Sequence, residues 1–153
     1  MRMNNVLILP IIIPLLTGMT MIFIRGRVRA QQAITVVSLL ATIGIAGFII
    51  HTVSRQGIIV LDVGGWQAPF GISLVGDMLS ALLVMAATFI TLMCILFAAG
   101  SLDNDHKVHF VYPFILVLLC GVNGSFLTGD MFNLFVFFEV MLISSYVLLS
   151  LGG

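Results

Sequence analysis

Polar clusters cut this sequence into five apolar runs, and each run is close to the length that a helix needs to cross about 30 Å of hydrocarbon. The runs cover residues 6–24, 33–53, 79–98, 110–127 and 132–151. Inside a bilayer every backbone N–H and C=O has to find a partner within the protein, so a single apolar run of this length can only be a helix. Composition removes the alternatives. With 61% hydrophobic residues against 8% charged ones and a mean hydropathy of +1.26, there is too little polar surface to coat a globule in water. A soluble enzyme, a nucleic-acid binder and a disordered tail are thereby excluded. The predicted fold is all-α: a polytopic transmembrane helical bundle of about five spans. No internal repeat, low-complexity tract or Pro/Ser-rich linker divides residues 1–153, which read as one transmembrane unit.

The first run is too long for the apolar core of a secretory signal and no small-residue cleavage site follows it, so it reads as an uncleaved span. Pro10 and Pro14 lie near its start, where a helix can best spare the hydrogen bonds they remove. Arg25, Arg27 and Arg29 follow. Counting basic residues on alternate sides sets these three and Lys107 against Arg2 and Arg55, which predicts a cytoplasmic first loop and an external amino terminus. The longest connection, residues 54–76, carries an apolar stretch at 58–63, then Gly64 and Gly65, then 66–70. This pattern predicts a short external hairpin of those two segments around a glycine turn, with Trp66 and Phe70 at headgroup level. Cys94 and Cys120 each sit within an apolar run and read as two small buried hydrophobes.

One residue is out of place in lipid. Of the twelve formally charged side chains, six of each sign, only Glu139 falls deep inside a span. A carboxylate at the bilayer centre costs on the order of 2.5–3.5 kcal/mol on insertion scales, so it must face protein or water. A carboxyl that takes up and releases a proton at that depth is what a proton relay requires. On a 3.6-residue period the face of Glu139 also carries Phe132, Phe135, Val136, Leu142, Ile143, Tyr146 and Ser150. Tyr146 lies seven residues on, about 10 Å of rise, and is the candidate partner through one or two bridging waters. The competing reading makes Glu139 a structural hydrogen-bond donor to a neighbouring helix.

Other polar positions have plainer explanations. Gly121, Asn123, Gly124, Ser125 and Thr128 make one end of the fourth span small and polar, which suits close helix packing. Asp77 and Asp130 each precede an apolar run and read as helix N-caps. Asp103, Asp105, His106, Lys107 and His109 form a mixed-charge loop, and His51 a headgroup-level residue. No metal-ligand spacing, nucleotide loop or cofactor motif is present in the sequence, so no cofactor is expected.

The fifth run makes the reading specific. Residues 129–148, GDMFNLFVFFEVMLISSYVL, resemble the D subunit of the multisubunit Mrp (Mnh) sodium/proton antiporters of bacteria. So do GGWQAPFGI at 64–72 with DMLS at 77–80, and the opening NNVLILPI at 4–11, so that the resemblance covers the whole chain. The broader relatives are antiporter-like subunits of respiratory complex I and of membrane-bound hydrogenases, where a fifth-span glutamate belongs to the proton machinery. Phe138 stands where those relatives commonly carry tryptophan, which favours assignment to the antiporter family. The resemblance implies a multi-pass protein of the bacterial plasma membrane, a transporter subunit and not an enzyme. It implies other antiporter subunits as partners within the lipid bilayer, H+ and Na+ as the transported ions, and no nucleic acid. Proton translocation through Glu139 would be coupled to Na+ exchange. A proton-pumping subunit of an NADH:quinone oxidoreductase or hydrogenase complex, and a structural membrane scaffold, are the alternatives. Family members are much longer and pair this glutamate with lysines on later helices, so the 153 residues are expected to be an amino-terminal fragment with the remainder of the family fold absent.

Overall fold

A computed structural model describes residues 3–24, 27–66, 69–101 and 108–152. A 3-10 segment, Met3–Ile8, leads into α1 (Leu9–Phe23), followed by α2 (Val28–Gln56), β1 (Ile59–Asp62), β2 (Ser73–Gly76), α3 (Met78–Ser101), α4 (Val108–Leu127) and α5 (Met131–Gly152). Five of these stretches are long and apolar enough to cross a membrane: Asn5–Phe23, Val28–Gln56, Met78–Gly100, Phe110–Leu127 and Met131–Leu151. They match the five runs in the sequence, and the chain is a polytopic helical bundle with only a small two-stranded sheet. The largest difference is at the start of α2, which begins at Val28 and not near residue 33. The polar residues read there as loop have helical work to do. Gln31 is fully buried and its Nε2 donates to the carbonyls of Met21 and Ile24, 3.2 Å each, at the open end of α1. Gln32 Nε2 donates to the buried Tyr112 hydroxyl across the bundle, 2.7 Å.

α4 is the centre of the bundle, with α1, α3 and α5 packed on it and α2 lying against α1 and α3. Two apolar clusters divide the interior. One gathers Met21, Leu39, Leu92, Ile95 and Leu116 around Tyr112, and the other joins Leu7, Ile11, Ile49, Val84, Cys120 and Leu127 with Leu74 of the hairpin. Lipid tails are as apolar as leucine, so close packing and hydrogen bonds hold these helices together more than apolar burial does. Buried hydroxyls are satisfied within their own helices: Thr35 donates to Gln31 O (2.8 Å), Thr42 to Ser38 O (2.9 Å) and Thr88 to Val84 O (2.7 Å). Cys120 is buried as expected, whereas Cys94 is exposed on α3. A small thiol is apolar enough to sit on a lipid-facing surface, which corrects the reading of both cysteines as interior.

The hairpin exists, in a different register. β1 pairs antiparallel with β2, Ile59 opposite Gly76 and Asp62 opposite Ser73, so the second strand is 73–76 and not the 66–70 segment. Gly64 and Gly65 do turn the chain, at φ of +75° and +78°, but they lie in a short 3-10 turn, Val63–Gly65, that opens a ten-residue connection. Pro69 cannot donate to a ladder, and pairing resumes only where Ile72 O accepts from Val63 N at 2.8 Å. β2 is then held on its other side by a bridge of Leu74 with Thr128 and by Gly129 N donating to Ser73 O, 2.9 Å. The α2–α3 and α4–α5 connections therefore meet at one end of the bundle, as they must if successive helices cross in alternation. Trp66 and Phe70 protrude from the connection, 68% and 87% exposed.

Candidate functional site

α5 is a two-faced helix whose faces the surrounding residues choose. Asn133, Phe137, Met141 and Ser144 recur at helical spacing on the side toward α4, where Asn133 and Ser144 are buried. The opposing surface of α4 is made of Gly121 and Gly124. A Cβ on Gly121 would come within 2.7 Å of Met141 Cγ, and one on Gly124 would collide with the Phe137 ring. The small residues noticed in the fourth span are thus the seat of α5. Asn123, grouped with them in the sequence, points elsewhere: it is completely buried and its Nδ2 donates to Pro10 O of α1, 3.0 Å. Pro14 has no N–H, so the Pro10 carbonyl one turn back lacks its intrahelical donor. Asn123 supplies that donor from another helix. The signal for this contact was the spacing of the two prolines, but which helix would answer it was not written locally.

Both N-caps form. Ser80 N donates to Asp77 Oδ1 at 2.7 Å while Asp77 N donates to Ser80 Oγ at 2.9 Å, a reciprocal box at the start of α3. Donation from the Ser80 backbone N–H, and then from its side chain, holds the Asp77 carboxyl below the usual carboxylate value. At α5, Phe132 N donates to Asp130 Oδ1 (3.3 Å), and Asn133 Nδ2 reaches Thr128 Oγ1 (3.1 Å). His51 is exposed near the end of α2. The cluster from Asp103 to Lys107 lies outside the described residues, and nothing is described of the His109 side chain.

Glu139 is on the face of α5 turned away from α4. It is exposed, and so are Phe132 (72%), Phe135, Val136, Leu142, Ile143, Tyr146 (69%) and Ser150, the set that the helical period placed on its stripe. The span Met131–Leu151 has Met141 at its midpoint, so Glu139 is two residues, about 3 Å of rise, from the centre. Asn133 and Ser144 are the only buried residues of this span, whereas 50% of the α4 span is buried. Among the described residues no hydrogen-bond or ion-pair partner meets the carboxyl. The carboxyl therefore lies on a face lined by aromatic and aliphatic side chains that the other four helices leave uncovered.

Fold and site together define a multi-pass α-helical membrane protein with one mid-span carboxyl on the face that its own bundle leaves open. No family model matches the chain. Across 151 residues, 99% of this chain, it is 44% identical to the D subunit of the Na+/H+ antiporter of Alkalihalophilus pseudofirmus and 42% identical to its namesake in Bacillus subtilis. It is therefore a homologue of these antiporter proteins, and its five spans make it a multi-pass membrane protein. It spans 31% of the length of those relatives. Among solved structures, the Mrp complex from a Dietzia species superposes with a TM-score of 0.88 at 34% identity, over 95% of this chain and 27% of that one. The membrane-bound sulfane sulfur reductase, an archaeal respiratory membrane complex, superposes at 0.85 and 28% identity, over 94% of this chain and 29% of that one.

Proposed function

We propose that the chain is part of a subunit of a multisubunit monovalent cation/proton antiporter, in which Glu139 takes up and releases a proton in exchange coupled to Na+. The observation that carries the reading is Glu139 itself: a carboxyl near mid-span on a helix face that α1–α4 leave uncovered. Within α1–α4, by contrast, buried Thr35, Thr42, Thr88 and Asn123 donate hydrogen bonds inside the bundle. A residue kept only to bind a neighbouring helix of this bundle would be expected to share that arrangement. In the proposed mechanism α5 is a rigid post. Its glycine-seated contact with α4 fixes the axis, its Asp130 cap fixes the start, and Glu139 projects into the contact with companion segments. Tyr146, two turns along the same stripe, supports a water-bridged step toward that end of the helix. The partners in this reading are other antiporter subunits.

A second reading is favoured by the superposition on a respiratory membrane complex: the same carboxyl would move protons in an assembly driven by electron transfer, with no sodium exchange. Substitution in the assembled complex separates the possibilities. Glu139→Gln keeps shape and neutral hydrogen bonding but cannot ionise, and is expected to assemble normally and to lose Na+-dependent proton flux in everted vesicles, with Glu139→Asp retaining part of it. Full exchange by Glu139→Gln would leave only the scaffold reading. Proton flux that is Glu139-dependent yet indifferent to Na+ would select the respiratory one.

A further inference from the structure

A groove of about 440 Å³ runs between α2 and α3 at the end of the bundle opposite the hairpin. Val36 and Val37 of α2 and Leu96 of α3 line it together with the fully buried Ile95 and the exposed Ala33 and Ala99, and Arg29 and Gln32 complete the lining. α2 has 29 residues, about 44 Å of helix, which exceeds the hydrocarbon thickness. Its first turns therefore reach headgroup level, and the groove descends from there toward the tails. Arg29 and Arg27 are both exposed at this level, and Arg25 precedes them in the sequence. Gln32 is committed through its Nε2 to Tyr112, which leaves Arg29 as the one cationic side chain among the residues that line the groove.

We propose that this groove holds a phospholipid with an anionic headgroup, its phosphate paired with Arg29 and one acyl chain laid between α2 and α3. The occupant follows from charge and shape: an apolar trough that opens sideways where lipid tails lie, closed at headgroup level by a forked cation suited to phosphate. A zwitterionic lipid fits the trough equally well but brings its own cation to the headgroup level beside Arg29, and so gains less. The site is remote from Glu139, and the proposal does not depend on the transport reading.

The test uses the protein purified with its complex and equilibrated with phosphatidylglycerol or phosphatidylcholine of identical acyl chains, the retained lipid being counted by native mass spectrometry. Phosphatidylglycerol is expected to be retained about fivefold more tightly, the factor that one cation near a membrane surface contributes. Arg29→Gln should abolish the preference and Arg29→Lys should keep most of it. Ala33→Phe, which fills the trough, should reduce retention of both lipids, whereas Arg55→Gln at the far end of α2 should change nothing. Equal retention of the two lipids by the unaltered protein, as would follow if another protein segment covered the groove, overturns the proposal. So does a preference that survives Arg29→Gln, or retention indifferent to Ala33→Phe.

Discussion

The contact between Asn123 and Pro10 shows how one residue makes a proline tolerable inside a membrane. Pro14 removes the N–H that would have met the Pro10 carbonyl, and in lipid no water stands by to replace it. Asn123→Leu should therefore cost about 1–3 kcal/mol, the penalty for stranding a buried acceptor. In a Pro14→Ala background the restored backbone N–H answers Pro10, and the same substitution should cost measurably less. Denaturant titration of the four variants in micelles reads this coupling, and equal costs in the two backgrounds would refute the account. Asp77 acts at the same scale. Its carboxyl is held below its ordinary value, so the stabilisation it gives is complete above the ordinary carboxylate range and fades as pH falls through the lowered folded-state value. Asp77→Ala should cost about 1 kcal/mol near neutrality, and Asp77→Asn should keep part of the cap while removing its acid sensitivity. Amide exchange at Ser80 is the measurement; protection unchanged in the alanine variant would count against the cap.

Helix α5 has one strong neighbour, and the seam with α4 depends on absent side chains. Gly124 leaves the space that the Phe137 ring fills, so Gly124→Leu is expected to displace α5 and lower the melting temperature of the assembled protein by several degrees. Phe137→Ala in the same chain should recover part of the loss by vacating the site, while costing stability alone. Additive losses in the double variant would show that the two do not share a space. The strands carry a different lesson. Two short segments around the Gly64-Gly65 pair indicated a hairpin, but the partner of β1 was set by the bridge to Thr128 and by Leu74 entering the core beside Leu7 and Leu127. Neither contact is local, so the segment nearest in sequence was the wrong choice.

Across the whole molecule, the arrangement of ends makes a claim about the membrane. The α1–α2 connection and the end bearing the α2–α3 and α4–α5 connections lie on opposite sides of the bundle. The arginine bias assigns the first to the cytoplasm. In a background free of Cys94 and Cys120, Phe70→Cys should react with an impermeant thiol reagent added outside intact cells, and Arg27→Cys should react only after the membrane is opened. The reverse pattern would invert the orientation. The chain spans 31% of the length of its antiporter relatives, and its least covered span is the one that carries Glu139. That combination places the candidate site at the rim of this bundle.

The number of spans, their limits except at the start of α2, and the place of Glu139 near the middle of the fifth were determined by the sequence alone, because lipid penalises every charge and every unpaired backbone group and so leaves few places to cut the chain. The helical period also grouped the residues of the Glu139 stripe correctly. Only the tertiary structure decided which way that stripe faces. A 3.6-residue period sorts side chains into faces, but when both faces are apolar it cannot say which meets protein, and here the choice fell to two glycines on α4. The same limit hid the roles of Gln31, Gln32 and Asn123. Asn123 is polar within an apolar run and the two glutamines stood between runs, yet each is explained by an acceptor on another helix that becomes adjacent only when the bundle closes.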